Sequence, residues 1–377
     1  MSERLVAVFT PFENLTDPRV ARTRRHDLFE LVVTALCGTI AGGDSWMDIE
    51  RFGKERLTWL RTFLKLENGI PSHDTFGRVF ARLDPAKLAA CIQQWFIDIG
   101  KELGKHIAID GKTLRRSFDK AAGRNPLHLV SAWATEARLT LGQVAIDDKS
   151  NEITAIPLLL DLLNLKGATV TVDAMGCQKD IAAKVVAGEG DYVLALKDNH
   201  PTLREAVEAE FTAALEADAP PANMRRHVTV EKNRGREERR EYVALPAPKS
   251  LPGFAAWASL ATLVMVIRIT RVGEIEKGEV SYYLSSLPPK VKTLAKLIRQ
   301  HWSIESQLHW VLDVTFTEDQ SRIRKHQAPQ TSAMLRRLAV SILSSDTSQK
   351  ETLRGKRYRA CLSTDVLERI LLSFAEK

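Results

Sequence analysis

Three carboxylates in this 377-residue chain stand where a metal-dependent reaction would use them. Asp110 closes the apolar run HIAID and Asp173 closes ATVTVD, with Gly111 and Gly176 close behind. Alternate side chains of a strand share a face, which groups Asp110 with Ala108, and Asp173 with Thr169 and Thr171. A strand end holds its side chain on rigid backbone beside an open edge, and glycine lets the chain turn there. Acids so placed also serve as turn formers and helix caps, so the pair says more than either alone. The third acid lies on a helical stripe. Leu294, Ile298, His301, Glu305, Leu308 and Leu312 alternate steps of four and three, the spacing of one core-facing row. A carboxylate in that row is costly unless it is bound to metal or paired, for instance with Arg299 or Arg322. His309, one turn beyond Glu305, is placed to hold its carboxylate or to contact a phosphate. Asp313, Glu318 and Asp319 are rivals for the third role, at or past the helix end where acids are commonly solvated.

Carboxylate oxygen suits hard cations such as Mg²⁺ or Mn²⁺. Two such ions ~3.5–4 Å apart can neutralise phosphodiester oxygens and activate a hydroxyl nucleophile. The three acids therefore point to phosphoryl transfer with two divalent ions.

The elements that must position these acids can be read from periodicity. The first hundred residues read as helices: residues 27–41, stopped by Gly42 and Gly43, then 46–65, then a short helix after Ser72. Pro85 fits the first turn of a longer helix behind Asp84. Two helices across a tight turn resemble a helix-turn-helix, although an ordinary packing domain has the same signature. The isolated pair His73 and Asp74 suits a helix start better than a metal site. HIAIDGKTL, HLVSAWAT and LTLGQVAI then read as strands. Ser150 is expected to cap the helix NEITAIPLLLDLL. The strand ATVTVDAM, a helix near 178–187 and the strand DYVLALK follow. That order predicts an α/β fold with an antiparallel meander, as in a ribonuclease-H-like core. Residues 201–217 read as a helix, and 224–287 as a basic stretch followed by strands, a β-rich insertion closed by Pro288-Pro289. Helices are expected over about 290–313, over 331–344 and after Ser363. The expected division is a helical domain 1–103 that could bind DNA, core segments 104–200 and 290–345 around an insertion 201–289, and a helical tail 346–377.

A net charge of +7 favours an anionic partner. Residues 224–240 carry seven Arg or Lys against three Glu, and 321–337 carry Arg322, Arg324, Lys325, Arg336 and Arg337 with no acid. Charge runs are commonly solvated faces, but Lys112, Arg115 and Arg116 directly follow Asp110 and could hold a scissile strand. Trp133, Trp302 and Trp310 are expected in the core rather than as base-stacking platforms. No run of about 18 apolar residues predicts a membrane span, and MSERLVAVFTPFENL lacks the apolar core of a signal peptide. The four cysteines form no CxxC pair, which argues against zinc or a disulfide framework and for a reducing, cytoplasmic setting. Cys177 lies near Asp173 but has no second thiol, so no catalytic role is expected for it.

The motifs DPRVARTRRHDLFELVVTALCGTIAGGDSW, GIPSHDTFGRVFARLDP, IAIDGKTLRRS, KSNEITAIPLLL, VTVDAMGCQKDIA, YVLALKDNHPTL and HWSIESQLHWVLDVTFTEDQSRIR occur in that order. In this the chain resembles the H-repeat-associated (ISAs-type) transposases, a group of DDE insertion-sequence transposases, over roughly residues 15–345. The resemblance implies a ribonuclease-H-like core with catalytic, metal-binding acids at Asp110, Asp173 and Glu305. It also implies a β-rich insertion between the last two acids, and a helical domain before the core. Related transposases surround the third acid with Tyr-x₂-Arg-x₃-Glu-x₆-Lys. Here Ile298, His301 and Leu312 stand at the Tyr, Arg and Lys places, and Arg299, His301 or His309 would have to substitute. The implied reaction is nicking at transposon ends, then attack of the freed 3′-hydroxyl on target DNA. The implied partner is double-stranded DNA, bound by a homo-oligomer in a bacterial, nucleoid-associated setting without a membrane. Two competing readings are a domesticated DNA-binding relative without full activity and a nuclease that cuts without joining.

Overall fold

A computed structural model describes residues 2–98, 104–146, 151–233 and 235–375. The α-helices are α1 (Ser2–Phe9), α2 (Leu28–Ile40), α3 (Trp46–Glu55), α4 (Leu57–Leu60), α5 (His73–Phe80), α6 (Pro85–Asp98) and α7 (Glu152–Asp161). They continue as α8 (Lys179–Ala187), α9 (Pro201–Glu216), α10 (Val291–His301), α11 (Trp310–Val314), α12 (Ala328–Ser345), α13 (Leu353–Leu362) and α14 (Thr364–Ala375). The strands are β1 (His106–Thr113), β2 (His128–Ala134), β3 (Leu139–Ile146), β4 (Thr169–Val172) and β5 (Asp191–Leu196). The last four are β6 (Arg225–Asn233), β7 (Arg236–Pro246), β8 (Thr262–Val272) and β9 (Ile275–Ser285). In sheet order they run β3-β2-β1-β4-β5-β9-β8-β7-β6, a mixed sheet of nine strands among the described residues.

The chain divides into two compact units. One, the helical unit, comprises Met1–Leu103, Gly111–Ser150 and Glu305–Lys377. The other, the sheet unit, comprises Gly104–Asp110 and Asn151–Ile304.

In the helical unit, α2 is apolar on nearly every side and is buried accordingly. Asp27 starts it by accepting the Phe29 and Glu30 amides, which answers two of the orphan donors of a first turn. The expected helix 46–65 is two pieces, α3 and α4, broken at Arg56. A capping box between Ser45 and Asp48 opens α3. Ser72 caps α5, and Pro85 opens α6. α12 packs on α2 and β3. Within the expected helical tail, α13 precedes the helix expected after Ser363, although LRGKRYRACL lacks an apolar stripe. Two of its cations are buried as ties: Lys356 Nζ donates to the Leu343 carbonyl at 2.9 Å, and Arg357 Nε to that of Thr39 at 3.2 Å.

The sheet unit begins with the first residues of β1, paired in parallel to β4 from His106↔Thr169 to Ile109↔Val172. β4 is parallel to β5, and β5 is antiparallel to β9. The strands of the expected insertion thus continue the sheet from β5, as the antiparallel run β9-β8-β7-β6. The basic stretch is itself the β6–β7 hairpin rather than a loop before strands. Ser150 lies outside the described residues; Asn151 caps α7 and forms a capping box with Thr154. The apolar face of α10, with Leu294, Ala295 and Ile298, packs on Val193, Tyr242, Val264 and Val266.

Two expectations for the site elements fail. β1 does not end at Asp110 but runs on to Thr113, because β2 supplies a neighbour where β4 stops. The helix expected over 290–313 is broken: α10 ends at His301, a π-helical turn covers Glu305–His309, and α11 follows.

Candidate active site

In the sheet unit, Asp110 and Asp173 directly follow the last paired residues of two neighbouring parallel strands, Ile109↔Val172. Strands of one sheet lie ~4.8 Å apart, so the pairing brings the backbones of the two acidic residues to neighbouring strand positions. Both are half-buried. Asp173 Oδ1 accepts the amides of Met175 at 3.1 Å and Gly176 at 3.4 Å, so the side chain also shapes its own loop. Burial raises its carboxyl above the usual range, and the charge of Glu152 acts in the same direction. The Gly176 and Met175 amides and Lys197 oppose that rise. Gly176 has no room for a side chain: a Cβ there would lie 2.2 Å from Val172 Cγ1 and 2.8 Å from Ile156 Cδ1. Burial, then Asp173, pushes the Cys177 thiol up to about 12, which disfavours the thiolate.

Behind the aspartates lies a buried polar chain. Thr171 Oγ1 is 2.9 Å from His106 Nε2 and 2.9 Å from His301 Nδ1. One hydroxyl between two imidazoles donates to one and accepts from the other, which ties β1, β4 and α10 together. Burial, with His106 beside it, holds His301 down to about 4. It is therefore uncharged at neutral pH and is no cationic substitute for an arginine. Ile298 and Leu312 are likewise buried, so none of the three residues at the Tyr, Arg and Lys places is set out for a phosphate. Arg299 is bound through Nε and Nη2 to Glu231, each at 3.1 Å, and not to Glu305. A cavity beside Asp173 is lined by Thr171, Lys197, Arg268, Tyr283, His301 and Trp302, among others.

In the helical unit, Glu305 is not the buried acid of a core stripe. Its side chain is 63% exposed, whereas Leu308 and Leu312 are buried. A π turn opens at Glu305, so the even row read from sequence is not continued through it. The same break leaves Trp302 and Trp310 exposed, against expectation, while Trp133 is in the core. Glu305 Oε2 lies 3.1 Å from His309 Nδ1. That hydrogen bond, then the charges of His309 and Lys112, hold the Glu305 carboxyl below its ordinary value despite partial burial.

Lys112, two residues past Asp110 on β1, is only 8% exposed and is clamped by Asp313 at 2.7 Å and Asp319 at 3.2 Å. Arg115 is exposed and reaches Asp319 at 3.1 Å. Arg116, Arg322 and Lys325 are exposed. Arg324 stacks on Phe118 at 4.3 Å and donates to the Arg116 carbonyl at 2.9 Å. Glu318 is not solvated as expected but buried, with Arg337 at 2.9 Å and Arg336 at 4.0 Å. Those two arginines are thus removed from the 321–337 surface. In the sheet unit, the 224–240 charges are largely spent on one another. Arg240 meets Glu231 at 3.3 Å and Glu238 at 2.6 Å, Lys232 meets Glu237 at 2.9 Å, and Arg226 meets Glu241. Arg234 lies outside the described residues. Sequence reasoning missed Glu152 beside Asp173 and the Lys112 clamp; both depend on tertiary pairing that spacing does not carry.

A family described as "Transposase DDE domain" matches residues 101–342, and one described as "DDE_Tnp_1-associated" matches residues 9–96. Among curated relatives, the "H repeat-associated putative transposase YhhI" of Escherichia coli K12 is 39% identical over 92% of this chain and 92% of its own. YbfL of the same strain is 39% identical over 95% of both chains. The "Inactive transposase YbfQ", also from that strain, is 40% identical over 15% of this chain and 68% of its own. A solved piggyBac transposase synaptic complex with hairpin DNA aligns at TM-score 0.41 and 11% identity, covering 99% of this chain and 78% of that one. That likeness is too low to bear on fold or function. No described helix is long and apolar enough to cross a membrane.

Proposed function

Because the chain belongs to the H repeat-associated family of transposases with a DDE domain, we propose that it cuts DNA at transposon ends and joins the freed 3′-hydroxyls to target DNA. The observation that carries this reading is the pair Asp110 and Asp173, set side by side at the end of one parallel strand pairing. We read the meander β3-β2-β1 with the parallel strands β4 and β5 as a ribonuclease-H-like core, and Glu305 as the third acid.

The donors suit a hard divalent cation: Asp110, Asp173 and Glu305 offer carboxylate oxygens, and His309 is hydrogen-bonded to Glu305. Divalent ions bound there would activate the attacking oxygen and stabilise charge on the phosphoryl group. The chain's own residues would do the rest. The Asp173 loop, fixed by two backbone amides, holds one carboxylate at a set angle. His309 orients Glu305 and keeps it ionised. Lys112, held by Asp313 and Asp319, keeps a positive charge on the Asp110 strand. Arg115, Arg116, Arg322 and Lys325 are the exposed cations we assign to the DNA strand near the acids. In the first step water adds to phosphorus and the strand's 3′-oxygen leaves as a hydroxyl. In the second that hydroxyl oxygen attacks a target phosphodiester, whose own 3′-oxygen departs.

A strand-transfer assay with Mg²⁺ and pre-nicked duplex from the DNA flanking the gene tests the reading. Joined product is expected; cleavage without joining would indicate a nuclease, and binding alone a domesticated relative. Asp110→Asn, Asp173→Asn and Glu305→Gln should each lower the rate by orders of magnitude while DNA binding persists. Wild-type turnover in any one of them would remove that acid from the site.

A further inference from the structure

Two of the family motifs, DPRVARTRRHD and GIPSHDTFGRVFARLDP, lie far from the three acids in sequence and hold none of them. In the helical unit they meet on one cleft. Its walls are Arg19, Arg25 and His26 from the first, Ile70, Ser72, Thr75, Arg78, Val79 and Arg82 from the second, and Asn68. It encloses about 630 Å³, and among the described residues no carboxylate lines it, while Glu13, Asp27, Glu30 and Glu67 line a neighbouring cavity that shares Arg25, His26 and Asn68.

Its arginines differ in what they do. Arg19 is structural: its guanidinium grips Asp17 at 3.0 and 2.7 Å and donates to the His26 carbonyl at 2.7 Å. Asn68 Nδ2 donates to the Arg25 carbonyl at 2.6 Å, so the loop is pinned at both ends. Arg25, Arg78 and Arg82 are exposed. Among the described residues none of the three forms an ion pair, whereas the arginines of the β6–β7 hairpin and around Glu318 are matched to carboxylates. Arg78 Nη2 touches only the Thr75 hydroxyl, at 3.3 Å. The nearby positive charge is felt by His26, which burial first and then Arg25 and Arg19 hold below its ordinary value.

Unpaired guanidiniums on a pinned loop and a helix, with hydroxyls and a side-chain amide between them, match a row of phosphate oxygens. We propose that this cleft is a second DNA site, in which Arg25, Arg78 and Arg82 grip the phosphodiester backbone of a duplex without reading its sequence. It rests on the transposase reading, and gives the segment preceding the catalytic core a task of its own.

The test is salt-dependent binding of the full chain to a duplex of arbitrary sequence. The triple variant R25Q/R78Q/R82Q should bind at least about tenfold more weakly at low salt. Its log–log salt slope should fall by roughly 0.9 for each phosphate that is no longer neutralised. R25K/R78K/R82K should keep most of the slope, and Arg51→Gln, at an arginine paired to Asp48 outside the cleft, should change nothing. A wild-type slope in the Gln triple variant would overturn the proposal. So would a Lys triple variant as weak as the Gln one, or a wild-type chain that binds single-stranded RNA but no duplex. A chain that binds duplex through these arginines yet never nicks it would refute the catalytic reading and leave the cleft standing.

Discussion

At the scale of single residues, the site depends on side chains whose charge is set by what surrounds them. Thr171 shows this most clearly, since its one hydroxyl serves both His106 and His301. His301 is held at about 4, below its ordinary 6.5. The unfolded chain therefore takes up a proton that the folded chain refuses between those values. Stability from this group is complete above about pH 6.5 and is lost as the pH falls toward 4. His301→Gln should flatten the fall of the melting temperature over that range; parallel curves for variant and wild type would show that His301 does not cause it. That Asp110 and Asp173 follow two apolar strand segments was legible from sequence, because alternation is a local signal, although β1 runs on past Asp110 to Thr113. The surroundings were not. Nothing in HWSIESQLHW says that the Glu305 side chain is exposed or that His301 is buried against Thr171, since both follow from tertiary packing and a helix defect.

At the scale of elements, short segments with strict alternation or a cap were readable, and long segments read as uniform were not. β1 to β5 follow from HIAIDGKTL, HLVSAWAT, LTLGQVAI, ATVTVD and DYVLAL, and α7 from NEITAIPLLLDLL, although its cap is Asn151 and not the expected Ser150. The helix over 290–313 has an unbroken four-three rhythm, yet the π turn interrupts it. Periodicity tells which residues are apolar, but not where a helix gains a residue per turn. The β6–β7 hairpin was obscured for another reason: its outward residues are Arg, Lys and Glu paired with one another, which as a sequence reads as a charged loop. The loop after β4 is the element on which Asp173 depends most. Gly176→Ala would drive a methyl into Val172 and Ile156. A loss of about 1–3 kcal/mol in chemical denaturation is expected, with strand transfer falling further than DNA binding. Unchanged stability and activity would mean that the loop yields without moving the acid.

At the scale of the whole molecule, the proposed site draws on segments remote in sequence. Asp110 is the last residue of its segment of the sheet unit, and Glu305 the first of a segment of the helical unit. Charge follows the same division of tasks. The excess of +7 lies partly in the basic run 224–240, where cations outnumber the glutamates they meet, and partly in arginines of the N-terminal cleft that form no ion pair among the described residues. Net charge alone pointed to an anionic partner without saying which cations would meet it. The account stands on Asp110, Asp173 and Glu305 acting as ligands of shared divalent ions. Replacing each in turn by cysteine, and assaying strand transfer in Mg²⁺ and then in thiophilic Mn²⁺ or Cd²⁺, tests this most directly. The prediction is loss of activity in Mg²⁺ for all three variants and partial recovery with the softer ions. Full activity in Mg²⁺ for any variant, or no recovery at any of the three positions, would contradict it.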